Sequence, residues 1–415
     1  MEQCRKAGKS HWYHETQSTM SSQPPLSLMP EAAYVNDRFL LDLTVSETAL
    51  TPFESWLKPA HQLADVLFPR TVLNDRLHTF STYERMSTAL TAAQVFGVQR
   101  LCRYYAARLA PLPGPDASRE SNQRLAQITQ YARQLAGSPS VINTRAREQL
   151  AEVGLTARDT VLINQIIGFI GFQARVAAIF QAFCRLPVRE LPGQEMQRFA
   201  RAARFQNPQT IWRPAASLVE YPPAHTKVRR QYSSSQCQMM APVLMRDPSS
   251  FALLERILTS TLHTASPPSL LPLITLLTSR INGSAACFNE QATQPGAWRR
   301  AVITLRQEDD DIARWELEPA LTQAIQWLTR APDRFSAAHF FPLLTRGVSS
   351  EQAINMLGWC GVCGWLNRLK NRVGRNLLTH PLLKERLLRQ AESRKTVSRS
   401  FGYENRRICF RTTRC

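Results

Sequence analysis

"QLAGSPSVINTRAREQLAEVGLTARDTVLINQIIGFIGF" (134–172) and "WLTRAPDRFSAAHFFPLLTRGVSSEQAINMLGWCGVC" (327–363) read as two copies of one unit. At an offset of 193, Leu135, Pro139, Leu150, Gly154, Leu155 and Thr156 fall on Leu328, Pro332, Leu343, Gly347, Val348 and Ser349. After a two-residue gap, Ile163 and Asn164 fall on Ile354 and Asn355, and Phe169 and Phe172 fall on Cys360 and Cys363. Self-similarity over this length points to a duplicated domain. The apolar run 161–183 exceeds strand length and reads as a buried helix. Gly154 reads as a helix stop and Thr156 as the next N-cap.

Outward from the repeat the pattern stays helical. Thr51 is the expected N-cap ahead of Pro52 and Glu54, and helical patterning resumes at Ser249 after the irregular "YPPAHTKVRRQYSSSQCQMMAPV" (221–243). The expected fold class is all-α, with two tandem helical domains. The expected division is an N-terminal arm (1–45), a first domain (46–185), an irregular basic linker (186–250), a second domain (251–375) and a basic, mostly disordered tail (376–415).

The 415 residues, 44 % of them hydrophobic, suffice for several buried cores. No apolar run reads as long enough to span a membrane, and the N-terminal segment has no apolar signal region. A cytoplasmic location is therefore expected, with the nine cysteines as thiols rather than a disulfide scaffold. The net charge of +19 is concentrated: residues 368–415 carry 14 Lys/Arg against 3 Asp/Glu, and residues 195–246 carry 8 against 2. Neither segment has a zinc-finger spacing, an RNP-like aromatic run or a helix-turn-helix pattern, which argues against a nucleic-acid partner. No nucleotide-binding or nucleophile-elbow motif is present. The pair His11 and His14 and the run Glu308–Asp311 are weak metal candidates, so no metal and no cofactor is expected.

Cys360 and Cys363 form a C-x-x-C pair, a spacing that places both sulfurs on one helix face. Near a helix N-terminus the dipole would favour the thiolate. The competing reading is that they are small buried hydrophobes, and the phenyl rings at the matching positions of the first copy favour packing. His339 reads as a packing histidine, with an approach to Cys287 as the alternative.

"RINGSAACFNEQ" (280–291), "GVSSE" (347–351) and Asn367–Arg368 resemble the active-site helix and closing element of the AhpD-like, or carboxymuconolactone-decarboxylase-like (CMD), superfamily. Members carry Asn-Gly followed by C-x-x-C-x-x-x-H. The resemblance implies two tandem AhpD-like helical domains and a peroxidase-like, thiol-dependent antioxidant oxidoreductase. Its implied partners are a small hydroperoxide or disulfide, a thiol reductant and, in a homo-oligomer, a second copy of the chain. In such proteins a Glu–Cys–His relay deprotonates the attacking thiol and the cysteine pair closes as a disulfide. This chain departs from the motif: Ser284 stands at the first Cys, Cys287 at the second, Gln291 at the His and Pro272 near the upstream Glu. Cys287 is then the candidate reactive thiol, with Ser284 and Gln291 as hydrogen-bonding neighbours and Cys360 and Cys363 as resolvers. In the first copy Gly97 survives, but Cys102 sits at a shifted spacing. The alternative is a catalytically inactive fold of the same kind, serving as a binding or assembly module.

Overall fold

The structure, a computed structural model, describes residues 34–378 apart from 36, 73–74, 77, 143, 189–194, 209, 216–217, 220–233, 295–297 and 308–317. His11, His14, Glu308–Asp311, most of the N-terminal arm and nearly all of the basic tail lie outside the described residues.

The chain is all-α. The first half runs through α1 (Glu47–Leu50), α2 (Glu54–Leu67), α3 (Thr82–Phe96), α4 (Gln99–Leu109), α5 (Arg119–Gly137), α6 (Thr144–Glu152) and α7 (Ala157–Phe183). Strand β1 (Thr210–Pro214) and α8 (Ser235–Leu244) lead to α9 (Pro248–Thr264), α10 (Leu271–Asn282), α11 (Ala285–Ala292) and α12 (Arg299–Gln307). The second half closes with α13 (Pro319–Arg330), α14 (Ala337–Leu344), α15 (Ser350–Val373) and β2 (Gly374–Leu378). Helix α3 packs on α4, α5 and α7, while α10 packs on α11, α13 and α15; α2 lies against α9.

Several elements differ from the sequence reading. Residues 221–243, expected to lack regular structure, include most of α8, whose N-cap Ser234 accepts from the Cys237 amide. Residues 374–378 pair antiparallel with 210–214, Trp212 opposite Asn376, so the expected linker and tail contribute a two-stranded ribbon. The cap ahead of Pro52 is Ser46, which accepts from the Ala49 amide. Thr51 instead donates to the Glu47 carbonyl. Helix α7 is long and apolar enough to cross a membrane by composition, contrary to the expectation that no run qualifies; 89 % of its apolar window is buried inside the protein.

The core is built on the crossing of α7 and α15. Each helix begins with a capping box, Thr156 with Asp159 and Ser349 with Gln352. Both then run without a break, so the two-residue gap in the sequence alignment has no place in the structure. Counted from the N-caps, Ile167 and Ile170, not Phe169 and Phe172, stand where α15 has Cys360 and Cys363. The contacts obey that register. The Trp365 indole lies on Gly168, and the Phe172 ring lies on Gly361. The two rings stack with centroids 5.9 Å apart. Arg175 Nη1 donates to the Gly171 carbonyl (2.7 Å) and Nη2 to the Thr329 carbonyl (2.7 Å). Arg368 repeats this with the Gly364 (3.0 Å) and Ala136 (2.8 Å) carbonyls. Both guanidiniums face the Phe96 ring, each 5.1 Å from its centroid. Burial brings Arg175 down to about 10 and Arg368 well below the usual arginine value.

Candidate functional site

Helix α10 ends at Asn282, and Gly283 takes a left-handed φ of +72° that redirects the chain into α11. A Cβ there would lie 2.4 Å from Ser140 Cβ, so the turn admits only glycine. The turn sets the register of α11: Ser284 at the N-cap, Cys287 in the first turn and Glu290 one turn later on the same face.

The facing stripe on α15 is Cys360, Cys363, Asn367 and Lys370, spaced three and four apart. Lys370 Nζ donates to Glu290 Oε2 at 2.8 Å; the lysine side chain is 1 % exposed and the glutamate 30 %. Gln236 of α8 donates to the other glutamate oxygen at 2.7 Å. Burial alone would lower the Lys370 pKa. The Cys287 and Glu290 charges and the hydrogen bonds to both side chains outweigh that penalty, so Lys370 is held above its ordinary value. The ammonium thus sits on the Glu290 carboxylate, one turn along α11 from Cys287. Trp212 of β1 donates to the Lys370 carbonyl (2.6 Å), and β1 packs on α11, so the ribbon covers this cluster.

The C-x-x-C pair lies in the middle of α15, far from its N-cap, so a helix N-terminus does not activate it. Cys360 is fully buried beside the Thr278 and Thr329 hydroxyls, each 3.4 Å away. Burial raises its thiol pKa, partly offset by those hydroxyls and the Arg175 charge. Cys363 meets Thr275 Oγ1 at 3.6 Å, and burial pushes its thiol well above the ordinary value. Cys363 also lies within electrostatic range of both Cys360 and Cys287. Ser284 does not act as a hydrogen-bonding neighbour: its buried Oγ has no partner among the described residues. Gln291 is half-buried, and it is the preceding Glu290 that meets the lysine.

His339 belongs to a different cluster. Its Nδ1 accepts from the Ser336 amide at 3.1 Å, and its ring lies 4.7 Å from the Trp327 ring, so it caps α14 and packs. Among the described residues no group of three His, Cys, Asp or Glu could hold a metal ion. Two surface clefts, of about 600 and 960 Å³, are lined by first-half residues such as Tyr83 and Arg124 or Arg133 and Arg145, the second also by Glu195. Neither is lined by the Cys287 cluster.

Lys370 and Glu290 escaped the sequence reading. The available signal was a lysine on the same stripe as Cys363, seven residues on and one turn past Asn367. Its partner, on another helix, leaves no trace in the spacing. In comparisons with known proteins, the chain matches no family model and no curated protein.

Proposed function

We propose that this chain is a thiol-dependent, peroxidase-like oxidoreductase built from two tandem AhpD-like helical units, with Cys287 as its reactive thiol. The observation that carries the reading is the cluster itself: a cysteine in the first turn of a helix, facing a buried ammonium that a carboxylate holds in place. Such surroundings balance an anionic sulfur, whether a thiolate or a sulfenate. The tandem reading is supported by the shared register of α7 and α15 and by left-handed glycines at matching turns, Gly97 (φ +71°) and Gly283 (φ +72°). Counted from those landmarks, the first half has Val98, Leu101, Tyr104 and Ala177 where the second has Ser284, Cys287, Glu290 and Lys370. The chemistry therefore belongs to the second half, with the first half as its packing partner.

In the reaction, the Cys287 sulfur attacks the terminal oxygen of a hydroperoxide, giving a sulfenic acid. The leaving alkoxide takes a proton from Lys370, whose ammonium is anchored on Glu290 one turn from Cys287. A thiol reductant condenses with the sulfenic acid to a mixed disulfide and water, and a second thiol frees Cys287; with Cys363 or Cys360 as resolver the product is an internal disulfide, which two molecules of the thiol reductant then open. This chemistry fits a reducing, cytoplasmic setting.

The burial of Cys360 and Cys363 favours a second reading, in which the fold is a binding or assembly module and its sulfurs are inert packing. Thiol mapping separates the two. Reduced full-length protein is exposed to a small excess of hydroperoxide at neutral pH, alkylated, and its cysteines located by mass spectrometry. Selective oxidation of Cys287, with loss of peroxide consumption in Cys287→Ser, is the expected result. Full activity in Cys287→Ser refutes the assignment. Cys287, Cys360 and Cys363 all remaining reduced favours the binding module.

A further inference from the structure

The resolving step is the least served by the geometry, and that shortfall leads to a different partner for the oxidised sulfur. Cys363, one of the two candidate resolvers, is buried to 2 % exposure beside Thr275. A thiol kept protonated attacks a sulfenic acid slowly, because the thiolate is the nucleophile. Lys370 has the opposite placement. Its side chain is 1 % exposed and is anchored at 2.8 Å on Glu290, which stands one turn from Cys287 on the same face of α11.

We propose that oxidised Cys287 closes onto Lys370 as a sulfenamide, a covalent sulfur–nitrogen bond that shields the sulfur from further oxidation until a thiol reopens it. The inference rests on the reading of Cys287 as the reactive thiol. In the first step the Cys287 thiol and a hydroperoxide give the sulfenic acid and an alcohol; sulfur loses two electrons and the O–O bond breaks. In the second step the Lys370 nitrogen attacks the sulfenic sulfur, the S–OH bond breaks and water leaves. Having protonated the leaving alkoxide, Lys370 reaches this step as the neutral amine, and the Glu290 carboxylate beside it takes the proton released from nitrogen and passes it to the departing hydroxide. One molecule of thiol then splits the S–N bond to a mixed disulfide and free amine. A second thiol releases Cys287 and leaves as the disulfide.

Oxidation itself prepares the amine. Lys370 gives its proton to the leaving alkoxide in the first step, and its burial disfavours taking up another, so the neutral amine forms together with its electrophile.

The test uses reduced full-length protein treated with about one equivalent of a small hydroperoxide, digested without reductant and analysed by mass spectrometry. The expected product is a cross-linked peptide joining the Cys287 and Lys370 segments with two hydrogens fewer than the reduced pair, lost on treatment with dithiothreitol. Lys370→Arg keeps the positive charge but has no amine for this bond, so Cys287 there should instead be trapped by dimedone or carried on to the sulfinic acid. Cys287 found as a sulfinic acid, or in a disulfide with Cys363, in wild-type protein with Lys370 unmodified overturns the proposal and leaves the peroxidase reading standing. Cys287 found fully reduced overturns both. The wild-type measurement decides by itself, so a poorly folded variant does not blunt the test.

Discussion

Gly168→Ala is the sharpest test of the helix crossing that positions the site. A Cβ at residue 168 would lie 1.9 Å from Trp365 Cδ1 and 2.3 Å from its Nε1, where an ordinary contact begins at 3.4 Å. Relief requires a displacement of about 1.5 Å, the difference between 3.4 and 1.9 Å. The indole has nowhere to go: Trp365 is 1 % exposed, stacked on Phe172 and edge-on to Phe169 at 6.0 Å. Overpacking of a dense core costs about 1–3 kcal/mol, and with no mobile neighbour the upper end applies. Alanine in place of glycine within a helix returns about 1 kcal/mol, which leaves a net loss of about 2 kcal/mol. At about 1 °C per kcal/mol for a chain of 415 residues, Tm should fall by roughly 2 °C in a thermal unfolding scan. Gly114→Ala is the control: its nearest neighbour is the Tyr83 ring at 3.8 Å, and its Tm should stay close to wild type. Adding Trp365→Phe to Gly168→Ala should recover stability beyond the sum of the single changes, with a coupling of about 1 kcal/mol or more. A Gly168→Ala protein as stable as wild type, or an additive double variant, refutes the close crossing.

Lys370→Met should slow peroxide oxidation of Cys287 and cost about 1–3 kcal/mol, below the loss for a fully buried pair because Glu290 keeps contact with water; stopped-flow consumption and urea denaturation check the two parts. The Asp37–His61 pair, 2.7 Å apart, should give a pH-dependent share of stability. For His61, burial alone would lower the pKa, but Asp37 raises it above 6.5, so its contribution is full below the unfolded histidine value and fades as pH rises through the raised one. For Asp37, burial alone would raise the pKa, but His61 and backbone amides hold it below 3.8, so its contribution is present above the unfolded value and fades as pH falls through the lowered one. His61→Gln should therefore lose most stability near pH 5, and an equal loss at pH 5 and pH 9 would exclude the pair as the source. Burial pushes Cys102 up to about 12 and Cys237 to about 11, so both should resist iodoacetamide at pH 8 in the native protein and react only on unfolding.

The sequence by itself determined the all-α class, because helix signals are local. The 161–183 run, the Gly154 stop and the Thr156 cap all depend on residues within a few turns of one another, and the structure places α7 and its capping box there. It also singled out Cys287 and the neighbouring Gly283, through a short motif contiguous in the chain. Only the tertiary structure decided the register of α15 against α7, because interlocking Trp365 with Gly168 and Phe172 with Gly361 depends on side-chain volumes from opposite ends of the sequence. It likewise decided that Cys360 and Cys363 lie mid-helix in the core and that the ribbon of 210–214 with 374–378 covers the cluster. The Lys370 ammonium is the clearest case. Its meaning is set by a carboxylate 80 residues away and by removal from water, and neither burial nor a distance of 2.8 Å between two helices is encoded in the local order of residues.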